Sequence, residues 1–273
     1  MSDNTPSKPA FYPSGHDAAV LKSHNARTAE NSAAFLLPHL KQSDSLLDVG
    51  CGPGSITITF APYVSSVLGV EHPSAGQAVL DAATESAGAA GVDGKVSFRH
   101  ADALSLPFTD SFFDVVYCHQ VLQHLPDPIQ ALKEMRRVSK RLVAAREADR
   151  GSFMAYPDDK QGHLGRFDQL WTQVARAGGG EPDAARRLKS WAVRAGFEPS
   201  KVDVGVGHSR PDVKEWGESW AERTVNSGFA KKAVELGLST EEELRAISAA
   251  WREWGQKEDA WMGYLQGELL AAK

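Results

Sequence analysis

Cysteine is scarce: the 273 residues contain two, Cys51 and Cys118. That is too few for a disulfide framework, and neither sits in the Cys-x-x-Cys spacing of zinc or redox sites. A reducing compartment suits such a composition. A basic excess is missing too, with 30 Lys and Arg against 35 Asp and Glu and a net charge of −5, which weighs against a nucleic-acid partner. No window approaches the roughly 18 uninterrupted apolar residues that a membrane helix needs. The opening MSDNTPSKPAFYPSGHD is polar and lacks the apolar stretch of a signal peptide. These absences lead to the expectation of a cytoplasmic protein with no nucleic acid and no membrane span. What is present is ordinary for a folded chain: 42% hydrophobic and 24% charged residues, enough for a sizeable core. The length corresponds to roughly 1.8 domains at about 150 residues each.

The chain reads as a regular alternation. Residues 17 to 40 carry a helical pattern, one or two amphipathic helices at the start. Short apolar runs then predict strands at Ser45–Val49, Ser66–Glu71, Val96–His100, Phe113–Cys118 and Arg141–Arg146. Helical stretches fall between them at Ser55–Tyr63, Pro73–Ala90 and Pro128–Ser139. This is the pattern of βαβ units in a parallel sheet covered on both faces, a doubly wound α/β fold. Beyond Arg146 the rhythm changes. Helices are expected around Phe167–Ala177, over Pro182–Gly196 and across residues 211–257, and a strand over Lys201–Val206. Ala260–Leu270 is a further strand candidate, although Gly263 and Gly267 interrupt it.

The segment with chemical content is Leu46-Leu47-Asp48-Val49-Gly50-Cys51-Gly52-Pro53-Gly54-Ser55. It joins an apolar strand to a helix start through a glycine-rich turn. Glycine allows the tight turn and a close approach of ligand to backbone, and a helix start favours an anion. A dinucleotide fingerprint needs glycine where Ser55 stands, and a phosphate loop needs a lysine that is absent. Glu71 closes the second predicted strand, where a carboxylate can accept from two ribose hydroxyls. Asp102 and the Ala103 backbone follow the third strand, suited to an exocyclic amine and a ring nitrogen. Singly these are ordinary loop acids; three sites at the carboxyl ends of adjacent strands form a nucleoside-sized constellation.

These residues resemble the class I S-adenosylmethionine-dependent methyltransferases, in particular the group similar to the ubiquinone/menaquinone-biosynthesis methyltransferases. The resemblance rests on LLDVGCGPG (46–54), GVE (69–71), ADALSLPF (101–108), FFDVVYCHQVLQHLPDP (112–128) and LKEMRRVSK (132–140). It implies a mostly parallel seven-stranded sheet with an antiparallel last strand, and S-adenosylmethionine as cofactor. It also implies that Asp48, Gly50, Cys51, Gly52 and Gly54 hold the methionine part, and that Glu71 with His72 takes the ribose. Asp102 and Ala103 would take the adenine, and His119 and Gln120 would line the cofactor near its sulfonium. Arg27 or His24 is placed to pair with the cofactor carboxylate; the alternative for Arg27 is a surface residue lying over its helix.

Methyl transfer from a sulfonium depends mainly on holding the acceptor in line, and a base is needed only where a proton must leave. Candidates are His119, His16, His24, Tyr12 and Glu147, with His119 foremost. His119 and His124 lack helical ligand spacing and a third partner, so no metal is expected. The tryptophans cluster in the second half of the chain. Trp251 and Trp254 suit packing, whereas Trp171 or Trp261 suits the wall of a flat acceptor site. One domain is expected, with an N-terminal helical lid over residues 1–40 and cap insertions at 151–185 and 207–258. The partner is a small-molecule acceptor, quinone-like or a specialised metabolite, with a homodimer left open. Competing readings keep the fold but catalyse a cyclisation or pericyclic step, or bind the cofactor without chemistry. A nicotinamide dehydrogenase is disfavoured by Ser55.

Overall fold

Leu46 and Leu47 show how the sheet is built. Successive side chains of a strand point to opposite faces, and these two, both fully buried, belong to different cores. The computed structural model describes residues 26–273. Its strands are β1 (Ser45–Val49), β2 (Ser66–Glu71), β3 (Val96–His100), β4 (Phe113–His119), β5 (Ser139–Ala148), β6 (Met154–Tyr156), β7 (Val202–Ser209) and β8 (Trp261–Ala272). The first five are parallel, in the order β3-β2-β1-β4-β5. β8 adds to β5 antiparallel, and β7 pairs antiparallel with the other side of β8. The direction of strand addition reverses between β1 and β4, and open α/β sheets bind ligands in the crevice at such a point.

One face is covered by α4 (Pro128–Val138) and α6 (Leu188–Arg194), where Leu132, Met135 and Trp191 meet Leu47, Val116 and Val143. The other is covered by α1 (Ala29–Ser32), α2 (Ser55–Thr59) and α3 (Gln77–Ala89), with Phe60 and Tyr117 among the largest buried groups. A third cluster lies among α5 (His163–Ala177), α7 (Val213–Asn226), α8 (Gly228–Glu235) and α9 (Glu241–Trp254). Phe167, Trp220 and Trp251 pack there with ring centroids 5.0–6.5 Å apart.

The fold is the doubly wound α/β sheet the sequence predicts, with differences in detail. The sheet has eight strands rather than seven, because after β5 the chain turns away and rejoins as the three-residue β6, alongside the start of β8. Ala260–Leu270 is indeed a strand, and its glycines serve the packing. A Cβ on Gly267 would sit 2.8 Å from the Ala185 carbonyl oxygen and 2.9 Å from Leu188 Cδ1. α2 stops four residues short of the expected Tyr63. Its Ile-Thr-Ile-Thr run is β-branched and helix-averse, and Thr59 Oγ1 bonds back to the Ile56 carbonyl at 2.8 Å. The helical pattern over 17–40 gives, within the described residues, only the one-turn α1 and a 3-10 turn at Leu37–His39. Pro38 cannot donate to a continuous helix through that stretch. Tyr12, His16 and His24 lie outside the described residues. Residues 207–209, expected in a cap, continue β7, and Ala184 packs into the sheet-facing core. No helix among the described residues is long and apolar enough to cross a membrane.

Candidate active site

The glycine loop after β1 is fixed from both ends. Gly50 and Cys51 donate their backbone N–H to the Val70 carbonyl at 2.8 and 3.0 Å, tying the loop to β2. Gly50, Gly52 and Gly54 all take positive φ, +74°, +53° and +80°, a conformation side chains other than glycine disfavour. A Cβ on Gly50 would stand 2.4 Å from Val121 Cγ2, so the loop lies against the turn after β4. At Gly52 the same construction meets nothing within 4 Å, so this glycine faces open space.

Glu71 bridges loop and strand. Its Oε2 accepts from the Gly52 N–H at 2.8 Å and its Oε1 from the His72 N–H at 2.8 Å. Each carboxylate oxygen can accept a second bond, so Glu71 retains capacity for a diol. His72 caps the following turn, its Nδ1 accepting from the Ser74 N–H at 3.2 Å. Asp102 Oδ1 accepts from the Leu104 N–H at 2.8 Å, which orders the turn containing Ala103 at the end of β3. Asp48 is buried beneath the loop and accepts from Thr57 Oγ1 at 2.6 Å. Burial pushes its carboxyl up to about 7, against the Thr57 bond. The neighbouring Cys51 thiol is likewise pushed up by burial.

The turn after β4 carries the other half of the constellation. His119 is buried, and its Nδ1 lies 3.1 Å from the Tyr117 hydroxyl. That hydroxyl gives its proton to the Ser32 carbonyl at 3.0 Å, so Nδ1 is the donor to Tyr117. Gln120 adopts a left-handed φ of +53°, which turns the chain at the strand end. Its Oε1 accepts from Arg27 Nη2 at 3.0 Å, and its Nε2 donates to Gln266 Oε1 on β8 at 3.3 Å. Glu147, at the end of β5, accepts from the N–H groups of Val121, Leu122 and Gln123 at 3.0, 2.8 and 3.2 Å. It clamps this turn and is not turned toward a substrate. Full burial pushes its carboxyl up to about 8, with the three N–H bonds opposing.

Beside Gln120 opens a cleft with about 740 Å³ of space between its walls, open solvent included. Arg27, Gln120 and His124 line it together with Trp171, Trp216 and Trp220. Burial, with the Arg27 charge adding to it, pushes the His124 imidazole down to about 3. Trp171 lines this pocket, and Trp251 and Trp254 are core residues, as read. Trp261 lies half-exposed on β8 and is not among the described lining residues. His119 is not among them either. Trp216 and Trp220, among the clustered tryptophans of the sequence but not favoured there for the wall, line this pocket, as do Arg150, Arg223 and Tyr264, which the sequence did not single out; Gln266 joins them through Gln120. Among the described residues, no group of three or more His, Cys, Asp and Glu could hold a metal.

Comparison with known proteins agrees with this geometry. Residues 47–142 match the family model described as a methyltransferase domain. An uncharacterized methyltransferase of Schizosaccharomyces pombe is 33% identical over 271 residues, covering 93% of both chains. An Aspergillus luteorubrus chain named probable methyltransferase ltbC is 32% identical, covering 96% of this chain and 97% of its own. A solved SAM-dependent methyltransferase from Methanosarcina mazei superimposes with a TM-score of 0.54 over 88% of this chain and 96% of its own, at 18% identity. With a near-full-length relative above 30% identity and a methyltransferase family model matching the sheet's first half, the chain belongs to the class I S-adenosylmethionine-dependent methyltransferases.

Proposed function

We propose that the chain transfers the methyl group of S-adenosylmethionine to a small, flat organic acceptor, quinone-like or a specialised metabolite, bound in the pocket beside Gln120. The observation that carries the placement is the Glu71 bridge: a carboxylate fixed by two backbone N–H groups beside a positive-φ glycine that faces open space. In this reading Glu71, with His72 beside it, receives the ribose, and Asp102 with the Ala103 N–H receives the adenine. Asp48, Gly50, Cys51, Gly52 and Gly54 form the floor under the methionine part. Arg27 and Gln120 stand between that part and the acceptor pocket, where both are found.

When bound, the cofactor supplies an electrophilic methyl whose bond electrons return to sulfur as the acceptor's lone pair takes the carbon. The chain's task is to place the acceptor and exclude water, which alone supplies a large share of such a barrier. The aromatic wall of Trp171, Trp216 and Trp220 performs the placement for a flat body. His119 is the proposed catalytic residue, as a wall at the methyl position and not as a proton acceptor. It lies outside the described pocket lining, and His124, which does line the pocket, is held neutral with little basicity.

Calorimetry tests the placement. Glu71→Ala and Asp102→Ala should each weaken S-adenosylmethionine binding by about 1–3 kcal/mol, the cost of leaving partners without a hydrogen bond. Unchanged affinity in both variants contradicts the assignment. S-adenosylhomocysteine should accumulate with turnover; product formation without it contradicts methyl transfer.

A further inference from the structure

The acceptor pocket carries a charge opposite to that of the whole molecule. The chain is net negative at −5, yet the pocket lining includes Arg27, Arg150 and Arg223 and, among the described residues, no carboxylate. Among the described residues, the nearby acids have partners of their own. Glu147 is held by three backbone N–H groups, Glu268 pairs with Arg146 at 3.1 Å, and Glu181 pairs with Arg176 and Arg187 at 3.6 and 3.7 Å. Asp168 forms an ion pair with Arg150 but does not line the pocket. Arg27 hydrogen-bonds to a neutral partner, Gln120.

The cations are embedded in aromatic surface. The Arg150 guanidinium carbon lies 5.2–5.5 Å from the ring centroids of Phe153, Phe167, Trp171 and Trp220. Arg223 is 7% exposed and stands 5.0 Å from the Trp220 ring. Ring faces offset part of the cost of keeping such cations out of water. They also hold the guanidinium groups in fixed orientations, so little side-chain entropy remains to be lost when an anion arrives. A fixed guanidinium favours planar oxyanions, to which it can donate two parallel hydrogen bonds.

Resting on the methyltransferase reading above, we propose that the acceptor is a planar aromatic anion, its carboxylate or phenolate held by Arg27 and Arg150 and its ring against Trp171, Trp216 and Trp220. The structural alternative, in which the arginines only tie helices together, predicts no preference for charge in the ligand.

The test compares shape-matched pairs on protein preloaded with S-adenosylhomocysteine: salicylate, 1-naphthoate and 2-naphthoate, each against its carboxamide. Quenching of tryptophan fluorescence reports binding without need of activity. At least one anion is expected to bind tenfold or more tighter than its amide, with the advantage shrinking as salt rises. Arg150→Gln should erase that advantage. Because it also breaks the pair with Asp168, Arg27→Gln, at a partly exposed position, is measured beside it, and the acid–amide comparison on the unaltered protein needs no variant. If no anion outbinds its amide while S-adenosylhomocysteine binds normally in calorimetry, the charge assignment is overturned and the methyltransferase reading stands. If S-adenosylhomocysteine itself fails to bind, the reading beneath the proposal is overturned, and the proposal with it.

Discussion

Replacing Gly50 with alanine should cost far more than one methyl group suggests, and much of the excess should be recoverable at Val121. Gly50 has φ of +74°, and holding an L-residue in that left-handed region costs about 1–2 kcal/mol. The new Cβ would stand 2.4 Å from Val121 Cγ2 and 3.3 Å from Cγ1. Forcing a methyl into filled space costs about 1–3 kcal/mol more. Val121 cannot swing aside cheaply, because Glu147 holds its N–H at 3.0 Å. Gly50→Ala should therefore lose about 2–5 kcal/mol, the sum of both terms. Val121→Ala alone should lose about 1 kcal/mol, given half burial and two methyl groups at about 0.8 kcal/mol each when fully buried. In the double variant the nearest remaining atom is the residue-121 Cβ at 3.4 Å, an ordinary contact. The clash then vanishes and only the backbone cost persists. Urea denaturation of all four proteins, with unchanged m-values confirming a common transition, should give a favourable coupling of about 1–3 kcal/mol, the size of the relieved clash. Additivity to within about 0.5 kcal/mol would show that loop and turn do not press on each other as described.

Other consequences are simpler. The carboxyls of Asp48 and Glu147 are pushed up to about 7 and about 8, so the native protein retains protons that the unfolded chain has released. Their contribution to stability is full below about pH 4 and is lost as pH rises through 7 and 8. Asp48→Asn keeps an acceptor for Thr57 and should flatten the lower part of that loss; identical urea-midpoint profiles for both proteins between pH 4 and 7 would contradict it. His119→Asn should lower kcat less than tenfold and leave its pH dependence unaltered, whereas loss of a titrating limb would make His119 a base after all. Trp251→Ala should cost about 3–5 kcal/mol, since the indole is 1% exposed and lies 5.4 Å from the Phe167 ring. A thermal shift equivalent to less than about 1 kcal/mol would mean that this cluster closes over the gap.

The central strands were readable because parallel strands buried on both faces announce themselves as nearly continuous apolar runs, and β1 and β2 begin and end where the sequence puts them, as does the edge strand β3, although beyond Val96 it is half-buried or exposed. That Glu71 and Asp102 stand at or just past a strand end was readable for the same reason. Legibility fell away where long-range packing decides. Glu147, a sequence candidate for a base, instead bonds three amides of a turn more than twenty residues earlier, and no local pattern announces that. Trp216 and Trp220 differ from Trp251 only in what the folded chain brings opposite them. Gly267, one of the two glycines that made β8 doubtful, records instead the close approach of the segment at Ala185.

β8 is made last among the strands, yet it is the seam between β5 and β7. While the chain emerges during synthesis, β5 presents an open edge and β7 has no neighbour at all. Both must wait for residues 261–272, which gives the nascent molecule a period of exposed strand edges. The same strand brings Gln266 to Gln120 and Tyr264 to the pocket wall. In the proposed reading, a binding-competent acceptor site therefore cannot precede a closed sheet, and a partly synthesised chain holds a glycine loop with no finished pocket beside it.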